Sequence, residues 1–231
     1  MINICENVKF IRSAIKLFES TSCQVDIVAV TKTFHYTDIL TALSCGIKHI
    51  GESKIQEAIP KFDQLGLSLS GVTKHFIGHL QTNKAKKVVE NFDFIDSLDS
   101  LKLANAVSYY AAKVGKIQNC LIEVKVSKED SKTGILPRDV SSFYAKFLSV
   151  SNISIRGLMA IAPYDKNPKD SRCYFKHVKN LFEDIKKSFA NPRFDILSMG
   201  MSSDYKIAVE EGATMVRIGS AIFGERVYGD K

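Results

Sequence analysis

Two features of the 231-residue sequence have the makings of a reactive site. The first is Lys32, two residues beyond the apolar run Ile27-Val28-Ala29-Val30. Most lysines are surface cations. One at the inner end of a buried strand differs, because its stem lies against apolar walls and its ammonium loses water. Desolvation and nearby positive charge both favour the neutral amine, the form that attacks aldehydes. The second feature is Ser198-Met-Gly-Met-Ser-Ser-Asp204, which leaves an apolar run and enters a helix expected over 204–211. Hydroxyls at a helix start serve as caps. The same place is also an anion site, since unpaired N–H groups and the helix dipole point outward there. Arg217-Ile-Gly-Ser220 supplies a neighbouring turn, in which Gly219 lets backbone N–H groups approach a ligand closely. One such turn is read as capping; two together favour phosphate. An aldehyde-reactive lysine beside a phosphate cradle suits a phosphorylated aldehyde, either a covalently held cofactor or a sugar-phosphate substrate.

These groups can meet only if the chain between them is folded to bring them together. Eight short apolar runs read as strands, over 26–30, 48–51, 75–78, 93–96, 119–126, 154–159, 194–199 and 215–218. Several are almost wholly apolar, as strands covered on both faces are. Segments of helical period lie between them. Phe175, Val178, Phe182, Ile185 and Phe189 form one stripe, Val140, Phe143, Phe147 and Val150 another, and Leu103, Val107, Tyr110 and Val114 a third. The first twenty residues add a further helix, with Val8, Ile11, Ile15 and Phe18 on one face. The alternation predicts a single α/β domain over 1–231, a (β/α)8 barrel of the TIM type with the extra N-terminal helix of 1–20 packed on it. A doubly wound open sheet is the competitor, but no Gly-x-Gly-x-x-Gly turn follows the first strand. Functional groups of a barrel gather where its strands end. That rule selects Lys32, Glu52, His79, Asp96, Lys125, residues 198–204, Arg217, Gly219 and Ser220, which are expected to converge on one rim.

Composition narrows the partners. Lys plus Arg number 32 against 25 Asp plus Glu, a formal charge of +7. The densest basic stretches, Lys84 with Lys86 and Lys87, and Lys176 with Lys179, Lys186 and Lys187, are diluted by acids and apolar residues. They read as solvated helix faces, so no nucleic-acid partner is expected, and a small anionic ligand suits the charge. The five cysteines (Cys5, Cys23, Cys45, Cys120 and Cys173) are odd in number, scattered and without CxxC spacing. That argues against a disulfide framework or a metal site and for incidental thiols in a reducing compartment. No basic leader precedes an apolar core, and no apolar run approaches the ~18 residues of a membrane span. A cytoplasmic location is expected, with no membrane partner. No long heptad seam appears, and a monomer is expected.

Seven stretches carry a resemblance. Val28-Ala-Val-Thr-Lys32, Gly51-Glu-Ser-Lys-Ile-Gln-Glu57 and His75-Phe-Ile-Gly-His-Leu-Gln-Thr-Asn-Lys84 are followed by Ser131-Lys-Thr-Gly134 and Arg156-Gly-Leu-Met159. Leu197-Ser-Met-Gly-Met-Ser-Ser-Asp204 and Val216-Arg-Ile-Gly-Ser-Ala-Ile-Phe-Gly224 complete the series. In this order they resemble the motifs of the pyridoxal phosphate homeostasis protein family, single-domain proteins related to the barrel domain of alanine racemase. The resemblance implies that Lys32 forms the internal aldimine with pyridoxal 5′-phosphate (PLP). It implies that Ser202, with the backbone of Gly219 and Ser220, holds the phosphate, and that Arg217 faces the pyridine nitrogen. Three departures stand out: Ser53 where the family usually has Asn, Lys74 where it has an aromatic residue, and no Pro near the first lysine motif. The lysine, the cradle and the arginine are all retained.

The function so implied is intracellular carriage and homeostasis of PLP, with transient contact to apo-PLP enzymes and without robust catalysis. A physical argument points the same way. Racemisation needs an acid and a base on opposite faces of the substrate carbon, and Lys32 supplies one. In alanine racemase the other comes from an additional domain and a partner subunit, for which one barrel of this length leaves no room. The enzymic alternatives are a small PLP-dependent racemase and a cofactor-free Schiff-base aldolase.

Overall fold

All eight apolar runs become strands: β1 (Asp26–Val30), β2 (His49–Glu52), β3 (Thr73–Phe76), β4 (Phe94–Leu98), β5 (Gln118–Val124), β6 (Ile153–Ala160), β7 (Ile196–Ser198) and β8 (Met215–Ile218). In this computed structural model, which describes residues 3–18, 24–127, 133–163 and 168–225, they pair in chain order, every neighbour parallel. β8 returns to β1 through the register Val28 to Arg217, closing a barrel. β3 starts two residues earlier than its apolar run. Its opening is polar: the Lys74 N–H donates to the Asp93 carboxylate, and its ammonium lies 3.0 Å from the same group. A lysine paired in this way takes the place an aromatic residue was expected to hold.

The helices are α1 (Ile4–Lys16), α2 (Tyr36–Ser44), α3 (Ile55–Leu65), α4 (Ala85–Asn91), α5 (Leu101–Lys113), α6 (Pro137–Phe147), α7 (Arg172–Phe189), α8 (Tyr205–Glu210) and α9 (Ser220–Phe223). Seven of them, α2 to α8, follow successive strands, as a barrel requires. The helix after β8 is only four residues long. The gap in the outer ring is filled from the other end of the chain. α1 packs against α2, α8 and α9, with Val8, Ile11 and Ile15 buried, and the Asn7 amide donates to the Ile222 carbonyl at 2.9 Å. Asn3 caps α1 by accepting from the Glu6 N–H. Phe18, expected on the apolar stripe, lies past the helix end and is 42% exposed.

One expectation is corrected here. Cys5 on α1 and Cys45 at the end of α2 are joined as a disulfide, with Cα atoms 5.4 Å apart. Forty residues separate them in sequence, so nothing in their spacing showed that packing would bring them together. Cys120 is buried, Cys173 is exposed, and Cys23 lies outside the described residues.

Strand alternation splits the core into two layers. Ile27, Ala29, Ile50, Ile95, Ile122, Leu158 and Val216 join the buried faces of the helices in one continuous cluster. Val28, Leu121, Met159 and Met215 alternate with them and are buried inside the barrel. Towards the amino ends of the strands the interior turns polar. His75 stacks on Phe94 with ring centroids 4.7 Å apart, and its Nδ1 lies 3.1 Å from the Asp96 carboxylate. Its Nε2 lies 3.1 Å from His49 Nδ1, and His49 Nε2 is 3.8 Å from Asp26. This chain of groups forms the floor of the barrel. No helix among the described residues is long and apolar enough to cross a membrane.

Candidate functional site at the barrel mouth

The backbone that presents Lys32 is held from behind. Past the end of β1, the Thr31 N–H donates to the Gly51 carbonyl at 2.9 Å. The Thr31 hydroxyl donates to Glu52 at 2.7 Å, and Lys61 of α3 donates both to that carboxylate (2.7 Å) and to the Thr31 carbonyl (2.8 Å). Thr33 then takes a left-handed conformation (φ +70°), uncommon for a β-branched residue, and the chain turns away at once. Lys32 thus sits between a clamped residue and a sharp turn. Glu52 is wholly buried, and burial raises its carboxyl pKa above the usual range despite Lys61 and Thr31. Among the described residues its Oε2 has no partner.

Opposite this turn, the segment after β7 and the end of β8 are stitched together. Gly200 adopts φ +90°, and a Cβ there would lie 2.5 Å from that of Ala208, so only glycine fits the turn. Asp204 accepts from the Met201 N–H at 2.6 Å, folding residues 201–204 into a tight loop ahead of α8. The Ser202 hydroxyl oxygen accepts from two backbone groups of the next loop, the N–H of Gly219 (3.2 Å) and that of Ala221 (3.3 Å). Two donors converging on one oxygen tie the two loops together, and among the described residues the hydroxyl hydrogen has no acceptor.

Arg217 stands between the two. Its guanidinium donates to the Ser198 carbonyl (2.9 Å) and hydroxyl (2.7 Å) and to the Ala160 carbonyl (2.8 Å), spanning the ends of β6 and β7. Burial lowers its pKa, while the carboxylates of Asp96, Glu123 and Asp204 work in the opposite direction. A guanidinium starts so far above neutrality that it remains a cation even so.

Lys32, Ser202, Arg217, Gly219 and Ser220 all line one cavity of about 590 Å³, with Val30, Ile77 and Ile161 as its apolar walls. A groove of about 540 Å³ lined by Leu136, His177 and Asp184 is nearly as large. Convergence of the two charged side chains, Lys32 and Arg217, with the loops after β7 and β8, and not volume, selects the first.

Two residues chosen by the strand-end rule do not reach this rim. Glu52 follows the pleat of β2 outward, beneath α3, where it anchors Thr31. Asp96 points inward but one layer down, where it pairs with His75 on the floor. His79 and Lys125 do reach the mouth, on its far side, where they line a separate cavity. Sequence reasoning missed Thr31, Thr33 and Lys61, and the walls Ile77 and Ile161. The walls are indistinguishable in sequence from core residues, and no spacing rule links Lys61 to Glu52. The expected helix over 204–211 begins one residue later, with Asp204 at its cap.

Comparison with known proteins matches residues 3–227 to the family described as "Alanine racemase, N-terminal domain". The pyridoxal phosphate homeostasis protein of Aquifex aeolicus is 39% identical over 203 residues, covering 87% of each chain. The chain belongs to the pyridoxal phosphate homeostasis protein family. A solved member, PipY of Synechococcus elongatus with PLP bound, superposes with a TM-score of 0.86 at 34% identity, over 96% of this chain and 100% of that one. Alanine racemase of Clostridium difficile shares the fold (TM-score 0.71, 15% identity), the match covering 98% of this chain and 58% of the racemase.

Proposed function

We propose that this protein binds pyridoxal 5′-phosphate at Lys32 and serves its intracellular homeostasis as a cytoplasmic, monomeric carrier without robust catalysis, in transient contact with apo-PLP enzymes. The observation that carries the reading is the shared cavity: an amine from β1 and the tied loops after β7 and β8 face the same space. When bound, the cofactor supplies an aldehyde that condenses reversibly with a primary amine. The residues of this chain divide the remaining work. Lys32 offers the nitrogen, fixed by the Thr31 clamp. The Ser202 hydroxyl, with the N–H groups of Gly219 and Ser220, holds the phosphate. Arg217, tied to Ser198 and Ala160, presents to the ring nitrogen a donor that takes up no proton. Val30, Ile77 and Ile161 keep water from the flanks of the ring.

Two features support holding over turnover. Racemisation needs proton-exchanging groups on opposite faces, and of the residues proposed to hold the cofactor Lys32 supplies one. Arg217 favours an unprotonated ring, the weaker electron sink.

The freshly purified protein should be yellow. Borohydride should bleach it and add the mass of reduced pyridoxyl phosphate at Lys32. Lys32→Ala should abolish both the band and the mass gain while leaving weak, phosphate-driven binding. Persistence of the adduct in that variant overturns the assignment. Incubation of the loaded protein with single-enantiomer alanine in deuterated water should give no catalytic α-deuteration. Multiple turnovers there would make it an enzyme.

A further inference from the structure

The mouth of the barrel has a second half. Ile77 and Ile161 wall not only the Lys32 cavity but also a neighbouring one of about 430 Å³, lined by His79, Glu123, Lys125 and Thr133. In a closed ring of eight strands β5 stands diametrically across from β1. Glu123 on β5 therefore faces the strand that carries Lys32, with the two shared isoleucines marking the boundary between the compartments.

The polar groups of this second cavity are of mixed sign. Glu123 accepts from the Thr133 hydroxyl at 3.2 Å. Burial raises its carboxyl pKa and Asp99 adds to the effect, whereas Thr133, Arg217 and His79 oppose it. His79 is held at the rim by Asp99, whose Oδ2 lies 3.5 Å from its Nδ1. Lys125, half-buried, brings a cation to the same wall. None of these residues takes part in holding the cofactor as described above. An anionic group lodged in partly buried surroundings gains most from a cation that brings its own hydrogens.

We propose that this second cavity is a binding site for primary amines and α-amino acids, the ammonium directed to Glu123 and any carboxylate to Lys125, where the amine meets the cofactor held on Lys32. The inference rests on the PLP-binding reading above. Release of an aldehyde from a lysine by amine exchange dictates the ligand class. The incoming nitrogen forms its bonds to the aldehyde carbon, those from that carbon to Lys32 Nζ break, and the three protons shed by the incoming ammonium pass to Nζ, which leaves as the lysine ammonium. Atoms and charge balance with no further reagent. Because Lys32, Ser202 and Arg217 line one half of the mouth, a cofactor held by them would leave the other half to the amine. A carboxylate that takes up a proton more readily than usual is suited to receive the ammonium's proton and pass it on.

The test uses cofactor-loaded protein reduced with borohydride, in which the link to Lys32 no longer exchanges. Methylamine and L-alanine are titrated into it and followed by NMR shifts of the His79 ring. Both should bind saturably to the wild type and about tenfold more weakly to Glu123→Gln. Lys125→Gln should weaken L-alanine alone. In the unreduced protein, the rate of PLP release against L-alanine concentration should saturate for the wild type and become linear for Glu123→Gln. Binding that is absent from the wild type, or equal in Glu123→Gln, overturns the inference. The mass gained on reduction separates the two ideas: if it is present while the amines fail to bind, only the amine site falls; if the wild type lacks it, the cofactor reading falls too. Retention of that mass gain by Glu123→Gln also shows that the variant is folded.

Discussion

At the floor of the barrel, His49, His75 and Asp96 satisfy one another, wrapped by Phe94 and the apolar interior. At the mouth, a similar assortment of charged and hydroxyl groups lines open volume, and each is fixed by a neighbour that leaves a functional atom facing the cavity. Arg217 is anchored through Ser198 and Ala160, Ser202 through two backbone donors, and Lys32 through the clamped residue before it. The difference teaches how one interior serves two purposes. Polar groups that close on each other contribute to stability and specify the packing, whereas groups anchored from behind line open volume.

Substitutions at the two ends should therefore have opposite signatures. The largest effect on stability is expected from Asp96→Ala, which leaves His75 Nδ1 without its partner in a fully buried site; such a loss costs about 3 kcal/mol. Urea unfolding should show that loss, and the folded fraction should still form the reducible PLP adduct. Next comes Ser202→Ala. PLP retention, measured by equilibrium dialysis, should fall by about 1.5–3 kcal/mol, the worth of one charge-assisted hydrogen bond. Stability should shift by about 1 kcal/mol, since Gly219 and Ala221 each lose a part-buried acceptor. A destabilisation matching that of Asp96→Ala would erase the distinction between the two regions.

The smallest effect concerns pH. Burial lowers the pKa of His49, and His75 and Lys48 act in the same direction, against Asp26 and Asp96. The folded state thus binds fewer protons there than the unfolded chain. Stability rises with pH through the window just below the ordinary imidazole value and is lost as pH falls through it. Between about pH 6.5 and pH 5, His49→Gln should flatten the decline in unfolding free energy by under about 1 kcal/mol. An unchanged slope would mean that His49 does not carry it.

What could be read from the residues was what depends on composition along a strand. The run from Ile27 to Val30 could be little other than a buried strand, and Ser198 to Asp204 is a polar turn wherever such a strand ends. The parity of the pleat was not readable. Glu52 ends β2, yet its side chain passes outward to Lys61, because a single residue of register decides the face; Asp96 points inward but stops a layer below the rim, because β4 runs on to Leu98. Pairings across long stretches of chain were hidden for another reason. Cys5 meets Cys45, and Lys61 meets Thr31, only after helices have docked.

The placement of α1 has a consequence for synthesis. This helix precedes every strand in the chain, but its apolar stripe finds a seat only between α2 and the last two helices. During synthesis α2 can cover one side of that stripe as soon as it forms, while the side facing α8 and α9 waits until those helices have been made. Docking of α1 is thus completed only with closure of β8 onto β1.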